Sequence, residues 1–170
     1  EFRRVLFRSI NNRKKWKIKD TFISLMNEYI LLALEEAKKS NDDIPVGAVI
    51  VKNNKVISKA HNEVIKRNDS TAHAEIIAIK EACKKLNTYN LSGCTIYSTL
   101  EPCPMCTGAI INAKIDKIVY GAMDINYGAC GSKYNLLNDN KAKKIEVYAG
   151  IEEDKCKTLI KDFFNTIRKK

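Results

Sequence analysis

The chain has 170 residues, of which 45% are hydrophobic; 30 basic and 20 acidic side chains give a formal net charge of +10. This length supports one hydrophobic core, and the composition excludes a disordered or collagen-like chain. The apolar runs at 29–34 and 46–51 are far shorter than the roughly 20 residues of a membrane span. The positive charge suggests a polyanionic partner such as nucleic acid, and no membrane partner is expected.

Residues 1–25 are expected to be a non-native segment. The first nine match one reading frame of a sequencing-adapter oligonucleotide, and the others carry a basic run without a methionine. The first methionine, Met26, begins an apolar stripe with the i, i+3, i+4, i+7 spacing of an amphipathic helix, although Phe22 extends this stripe backwards. We therefore predict a single native domain over residues 26–170.

Five strands and three further helices follow in the predicted order. The strands are expected at residues 46–51, 55–58, 95–100, 117–122 and 145–149, and the helices at residues 74–86, 103–113 and 152–169. The pair Asn53-Asn54 tolerates positive φ and predicts a hairpin turn, whereas residues 61–72 are predicted to be a polar loop. Helices alternating with short apolar strands indicate a three-layer α/β/α sandwich with a central mixed five-stranded sheet.

Two short motifs carry candidate chemistry. Cys103 and Cys106 stand three residues apart at a predicted helix start, where both sulfurs share one face and the thiolate form is favoured. A catalytic zinc needs a third protein ligand and a free position for water, and His73 near another helix start is the candidate. Glu75 lies two residues later, where its carboxylate could take a proton from that water without being a ligand.

Each motif has another explanation when it is considered alone. A Cys-x-x-Cys pair also occurs in redox sites and in halves of structural zinc sites. A lone histidine is usually a hydrogen-bonded polar residue, which is our interpretation of His61. The four scattered cysteines are expected to be small buried apolar residues in a reducing cytoplasm: Cys83, Cys94, Cys130 and Cys156. The combination of His73-x-Glu75 with Pro102-Cys103-x-x-Cys106 is much more specific than either part.

This combination matches the H-x-E…P-C-x-x-C pattern of zinc deaminases. The chain resembles the cytidine-deaminase-like superfamily and, within it, the bacterial tRNA-specific adenosine deaminases. Beyond the zinc motif, the narrower resemblance is carried by residues 45–49, Asn62 and residues 71–75, 99–103, 120–137 and 162–164. The resemblance implies a cytidine-deaminase-like fold and a cytoplasmic enzyme that deaminates adenosine to inosine at the wobble position of an arginine tRNA.

The resemblance also implies roles for particular residues. His73, Cys103 and Cys106 would bind one Zn²⁺ per subunit, and Glu75 would shuttle the proton.

Two further residues would contact the RNA. Asn62 would contact the flipped nucleotide and Asp124 the neighbouring anticodon-loop sugars, although both residue types also favour turns. The partners implied are the tRNA anticodon stem-loop and a second copy of the chain in a homodimer.

Two other functions share these sequence features. A guanine, cytosine or nucleoside deaminase would use the same zinc site without an RNA-binding surface. A non-enzymatic, zinc-stabilised RNA-binding module would need no Glu75.

The net positive charge is confined to the two ends of the chain. Residues 1–20 carry eight basic and two acidic side chains, and residues 141–170 carry nine basic and five acidic ones. Residues 21–140 carry thirteen of each, so their net charge is zero.

Overall fold

Helices and strands alternate along the chain, and the computed structural model describes residues 13–138 and 144–169. The elements in chain order are helix α1 (Arg13–Ala37), strands β1 (Gly47–Lys52) and β2 (Lys55–His61), helices α2 (Val64–Arg67) and α3 (Ala74–Leu86), strand β3 (Cys94–Leu100), helix α4 (Pro104–Asn112), strands β4 (Lys117–Ala122) and β5 (Glu146–Ala149), and helix α5 (Glu153–Arg168). The prediction for residues 1–9 lies outside the described residues.

The five strands form one mixed sheet in the order β2-β1-β3-β4-β5. Strand β1 is antiparallel to both β2 and β3, whereas β3, β4 and β5 run parallel to one another. The hairpin turn between β1 and β2 is confirmed, with Asn53 and Asn54 at φ values of 50° and 58°. The sheet therefore changes from antiparallel to parallel pairing at β3.

Helices cover both faces of the sheet, which confirms the predicted three-layer α/β/α sandwich. Side chains alternate between the faces along each strand, so that Ile50, Ile96 and Ile118 pack with α3 and α4. Val49 and Val119 point the other way, toward α1 and α5. No helix within the described parts of the chain is long and apolar enough to cross a membrane.

Two glycines allow the helices of one face to approach the sheet closely. A Cβ on Gly47 would lie 1.9 Å from the carbonyl oxygen of Ala33 in α1 and 2.6 Å from the amide nitrogen of Ala37. A Cβ on Gly121 would lie 2.2 Å from Sγ of Cys156 in α5. Both helices therefore pack against main chain that carries no side chain at the contact.

The largest differences from the prediction are at α1, at β2 and in the predicted polar loop. Strand β2 runs to His61, three residues beyond its predicted end at residue 58. Helix α1 begins at Arg13 rather than at Met26, and the ring of Phe22 packs edge-on against Tyr148 with the ring centroids 5.5 Å apart. The short helix α2 occupies part of the predicted polar loop, where both carboxylate oxygens of Asp43 accept hydrogen bonds from the amide of Ile65 at 3.1 Å. The hypothesis that the native domain starts at Met26 stays a prediction.

Candidate active site

Two helix starts meet at the candidate site. His73 is the N-cap residue of α3, and Cys103 is the N-cap residue of α4, whose first position is proline. Neither cap residue makes a side-chain capping hydrogen bond. The amide of Ala74 is instead capped by Oδ1 of Asn62 at 2.9 Å. The His73 imidazole is therefore available to face the two sulfurs.

The three predicted ligands form one cluster. Nδ1 of His73 lies 3.7 Å from Sγ of Cys103 and 3.6 Å from Sγ of Cys106. All three ligand atoms lie within 4.8 Å of one another, with Cys106 buried and the other two half-buried. A tetrahedral zinc, with bonds of about 2.3 Å to sulfur and about 2.0–2.1 Å to nitrogen, separates N and S by about 3.5–3.6 Å. The cluster therefore fits zinc and leaves a fourth position for water.

The cluster already favours one thiolate. A hydrogen bond from Cys106, with help from His73, lowers the pKa of Cys103 to about 4. The same Cys106–Cys103 hydrogen bond, together with burial, raises the pKa of Cys106. The hydrogen bond to Cys103 raises the pKa of His73. Zinc binds thiolates and a neutral imidazole, so it competes with protons at these three side chains, and we expect metal affinity to fall at low pH.

Glu75 lies in the first turn of α3, beside the cluster. Its carboxylate is buried; Oε1 accepts a hydrogen bond from the hydroxyl of Ser98 at 3.2 Å, and Oε2 accepts one from Cys106 at 3.5 Å. Burial raises the pKa of Glu75, which is the direction that a general acid–base operating near neutral pH requires. The predicted proton acceptor and the three predicted ligands thus lie together.

The other two candidate residues occupy structural positions near the site. Asn62 donates from Nδ2 to the carbonyl of Ile44 at 3.0 Å while capping α3 through Oδ1. Asp124 accepts hydrogen bonds from the amides of Asn126 and Tyr127 at 2.9 and 3.1 Å, which closes a turn after β4. Their contacts to substrate stay predictions.

The remaining cysteines and His61 are outside the metal cluster. Cys94, Cys130 and Cys156 are buried as expected, whereas Cys83 is only partly buried. His61 lies between two carboxylates, with Nδ1 at 3.5 Å from Glu36 and Nε2 at 3.6 Å from Glu63. This position fits our interpretation of His61 as a polar residue with structural partners.

Two residues at this site have no role in the sequence-based predictions. Ser98 has the same parity as Ile96 along β3, so strand alternation alone could have placed its hydroxyl on the α3 side of the sheet. Glu101 immediately precedes the Pro-Cys motif, and its hydrogen-bond donors come from residues 124–132. No local pattern reveals such distant partners.

Comparison with known proteins places these residues in a family context. Residues 23–122 match the cytidine and deoxycytidylate deaminase zinc-binding region. The chain is 43% identical to the tRNA-specific adenosine deaminase of Bacillus subtilis (strain 168), over 84% of this chain and 90% of that protein. It is 46% identical to the tRNA-specific adenosine deaminase of Aquifex aeolicus (strain VF5), over 83% of this chain and 95% of that protein.

A solved structure supports the same assignment of the fold. It comes from a study of A-to-I editing by tRNA:A34 deaminases at the wobble position of transfer RNA. Its TM-score is 0.75 at 38% sequence identity, over 78% of this chain and 98% of that chain. All three clustered ligands and Glu75 lie inside the matched family region.

Proposed function

The chain belongs to the zinc-dependent cytidine and deoxycytidylate deaminase family, and within it to the tRNA-specific adenosine deaminases; on this basis we propose that it converts adenosine to inosine at the wobble position of a tRNA anticodon. The reaction adds water to the adenine ring and releases ammonia. The observation that carries the proposal is the meeting of His73, Cys103 and Cys106 with the buried carboxylate of Glu75.

His73, Cys103 and Cys106 are the residues we assign as zinc ligands. When bound there, zinc supplies a water molecule whose pKa is strongly lowered and which can attack a ring carbon at neutral pH. Two thiolates and a neutral imidazole nearly cancel the charge of the divalent ion. Glu75 would lie beside the bound ion and its water, since Oε2 of Glu75 is 3.5 Å from the Cys106 sulfur.

Glu75 is the residue we assign as general acid–base. Its Oε2 would accept a proton from water and pass it to N1 of adenine. It would then take the second proton of that water from the hydroxyl group added at C6 and give it to the departing amino group at N6. The hydroxyl of Ser98 holds the other oxygen, so the carboxylate can keep one orientation through both transfers. A flipped-out nucleotide in a single-stranded loop suits this buried site, because little stacking energy opposes its extraction.

Inosine mapping at the wobble position of an incubated tRNA anticodon stem-loop tests the proposal. We expect inosine at that position with the purified protein, and a loss of about 10²–10⁴-fold in kcat for Glu75→Ala. Glu81→Ala is the matched control, since Glu81 is an exposed residue of the same helix. Zinc content and RNA affinity should survive both changes.

The alternatives give different results in the same experiment. Ammonia release from free guanine, cytosine or adenosine, without inosine in the RNA, would indicate a free-base or nucleoside deaminase. RNA binding without any deamination, unchanged by Glu75→Ala, would indicate a zinc-stabilised binding module.

Four finer features stay predictions. An arginine tRNA is the substrate we expect, which parallel incubation with several tRNA stem-loops would test. A homodimer is expected in solution, and sedimentation velocity would measure it. The cytoplasm is the expected location. Asn62 and Asp124 are expected to contact the RNA.

A further inference from the structure

Glu101 carries a buried carboxylate that the deamination chemistry does not use. It follows β3 directly, stands two residues before Cys103 and is 2% exposed. Oε1 accepts hydrogen bonds from the amides of Cys130 and Ser132, each at 3.0 Å. Oε2 accepts one from the amide of Asp124 at 3.1 Å and another from the hydroxyl of Ser132. All four donors come from residues 124–132, which we call the β4 loop.

No basic side chain in the described parts of the chain forms an ion pair with Glu101. A buried carboxylate is costly unless it is compensated, and here the compensation comes from amide and hydroxyl donors. Hydrogen bonds to a charged acceptor are also stronger than those between neutral groups. Four donors of the β4 loop therefore converge on one buried carboxylate.

The β4 loop also contacts the segment that carries the metal ligands. The carbonyl oxygen of Pro102 accepts a hydrogen bond from the amide of Ala129 at 2.9 Å. Sγ of Cys130 lies 3.5 Å from the hydroxyl of Thr107 in α4. A Cβ on Gly128 would lie only 2.4 Å from Cδ of Glu101, so the loop closes over the carboxylate where residue 128 has no side chain.

The outer side of the same loop is exposed and apolar. Ile125 and Tyr127 are 74% and 68% exposed, on the turn closed by Asp124. An exposed aromatic ring can stack on the base of an unpaired nucleotide. The hydrogen bonds that Glu101 accepts lie at both ends of the loop that carries this turn.

We propose that Glu101 is a positioning residue whose carboxylate fixes the β4 loop against the metal-binding segment, so that the loop presents Tyr127 to the RNA beside the reacting adenosine. This inference rests on the proposed function. Glu101 acts through the loop and does not touch the substrate. Its loss should therefore weaken substrate binding more than the chemical step.

The test compares Glu101→Gln with Glu146→Gln. The first change keeps the side-chain shape but replaces one acceptor oxygen by an NH₂ group that faces amide and hydroxyl donors. The second removes the charge of an exposed carboxylate on β5, which pairs with Lys117 at 3.7 Å. Three quantities are measured: zinc content, amide hydrogen exchange without RNA, and kcat and KM for an anticodon stem-loop.

For Glu101→Gln we expect one zinc per chain and amide hydrogen exchange about tenfold faster at residues 124, 130 and 132. We also expect a KM about tenfold higher than that of the unmodified protein, with kcat changed by less than about threefold. Glu146→Gln should match the unmodified protein in all three. Ser132→Ala removes one hydroxyl donor and should raise the exchange rates and KM by a smaller amount than Glu101→Gln does. It is the variant to use if Glu101→Gln does not fold.

Unchanged exchange in the β4 loop, or a kcat that falls together with zinc content while KM stays constant, would overturn the inference. If the unmodified protein forms no inosine in RNA, the proposed function fails. In that case the exchange measurement by itself decides whether Glu101 fixes the loop.

Discussion

The hydroxyl of Ser98 donates a hydrogen bond to Oε1 of Glu75 over 3.2 Å, which joins strand β3 to the first turn of α3. Both side chains are buried, at 0% and 3% exposure, so water does not replace this contact readily. We predict that Ser98→Ala lowers kcat about tenfold, the effect of losing one hydrogen bond to a charged group. Steady-state kinetics on the stem-loop measures it.

The control for this prediction is Ser58→Ala. Ser58 is also a buried serine, and its hydroxyl donates to the carbonyl of Ala78 at 2.8 Å, away from Glu75. This variant should lose stability but keep its kcat. Equal kcat values for Ser98→Ala and the unmodified protein would show that Glu75 needs no partner on β3.

Removal of zinc should abolish activity and lower the melting temperature. The three ligands join the N-termini of α3 and α4, so an ion that binds only the folded state stabilises that state. After chelation, metal analysis verifies that zinc is removed, and an activity assay and calorimetry measure the two effects. Added Zn²⁺ should restore both the activity and the melting temperature.

Cysteine variants provide the control for metal binding. Cys103→Ser should lose zinc, whereas Cys83→Ser should keep one ion per chain, because Cys83 is a half-buried cysteine outside the cluster. Full zinc content in Cys103→Ser would remove Cys103 from the ligand set.

Gly47→Ala should destabilise the fold by about 1–3 kcal/mol, because the added Cβ would overlap main-chain atoms of α1 at 1.9 and 2.6 Å. Gly108→Ala is the matched control. A Cβ at Gly108, inside α4, would meet no atom within 4 Å, and alanine favours a helix more than glycine does by about 1 kcal/mol. Urea unfolding should therefore move the two midpoints in opposite directions.

Acid should weaken the fold partly through Glu36 and Glu63. Burial raises the pKa of Glu36, but the hydrogen bond and charge of Lys39, the hydrogen bond of His61 and the charge of Lys59 together outweigh burial, and the net pKa is lowered. Hydrogen bonds from Lys66 and then Arg67 lower the pKa of Glu63 against a smaller effect of burial. As the pH falls, these two carboxylates therefore take up protons at a higher pH in the unfolded chain than in the folded chain.

This difference sets the sign of the pH effect. The stabilisation is complete above the ordinary glutamate pKa of 4.5 and is lost as the pH falls below it through the lowered values. A Glu36→Gln/Glu63→Gln variant should be less stable at pH 7, and its deficit should shrink below about pH 4.5. Urea unfolding at several pH values measures this. Glu35→Gln, at an exposed ion pair, should follow the unmodified protein; a pH-independent deficit in the double variant would contradict the prediction.

The basic end of the chain should contribute to RNA affinity. Arg168 and Lys169 lie at the exposed end of α5, and Lys170 follows outside the described residues. Neutralising all three should weaken binding and flatten its dependence on salt, by a slope of about 0.7 for each phosphate of a single-stranded RNA that these side chains neutralise. Filter binding at several salt concentrations measures the slope. An unchanged slope in the neutralised variant would assign these three residues no role in binding RNA. By contrast, a chain that starts at Met26 should keep its RNA affinity.

The ligands and the sheet were predictable because their patterns are local. Cys103 and Cys106 share a helix turn, and the Asn53-Asn54 pair adopts the positive φ angles that its residue types tolerate. Helix α2 has only four residues, and its support comes from Asp43, about twenty residues earlier in the chain. Its own sequence therefore gives no helical pattern and predicts a loop. The roles of Ser98 and Glu101 depend on partners from other elements, which one sequence does not reveal.

The arrangement of Glu101 separates the chemistry of this protein from its choice of substrate. The metal ligands and Glu75 lie at helix starts packed on the sheet, while four donors of the β4 loop converge on the carboxylate of Glu101. We therefore expect that residues 125–127 can be exchanged with those of a relative that acts on another nucleobase, provided that Gly128 and Ser132 are retained. Such a chimera would keep the reaction and change what it acts on, so that new specificities could arise in this fold without new catalytic residues.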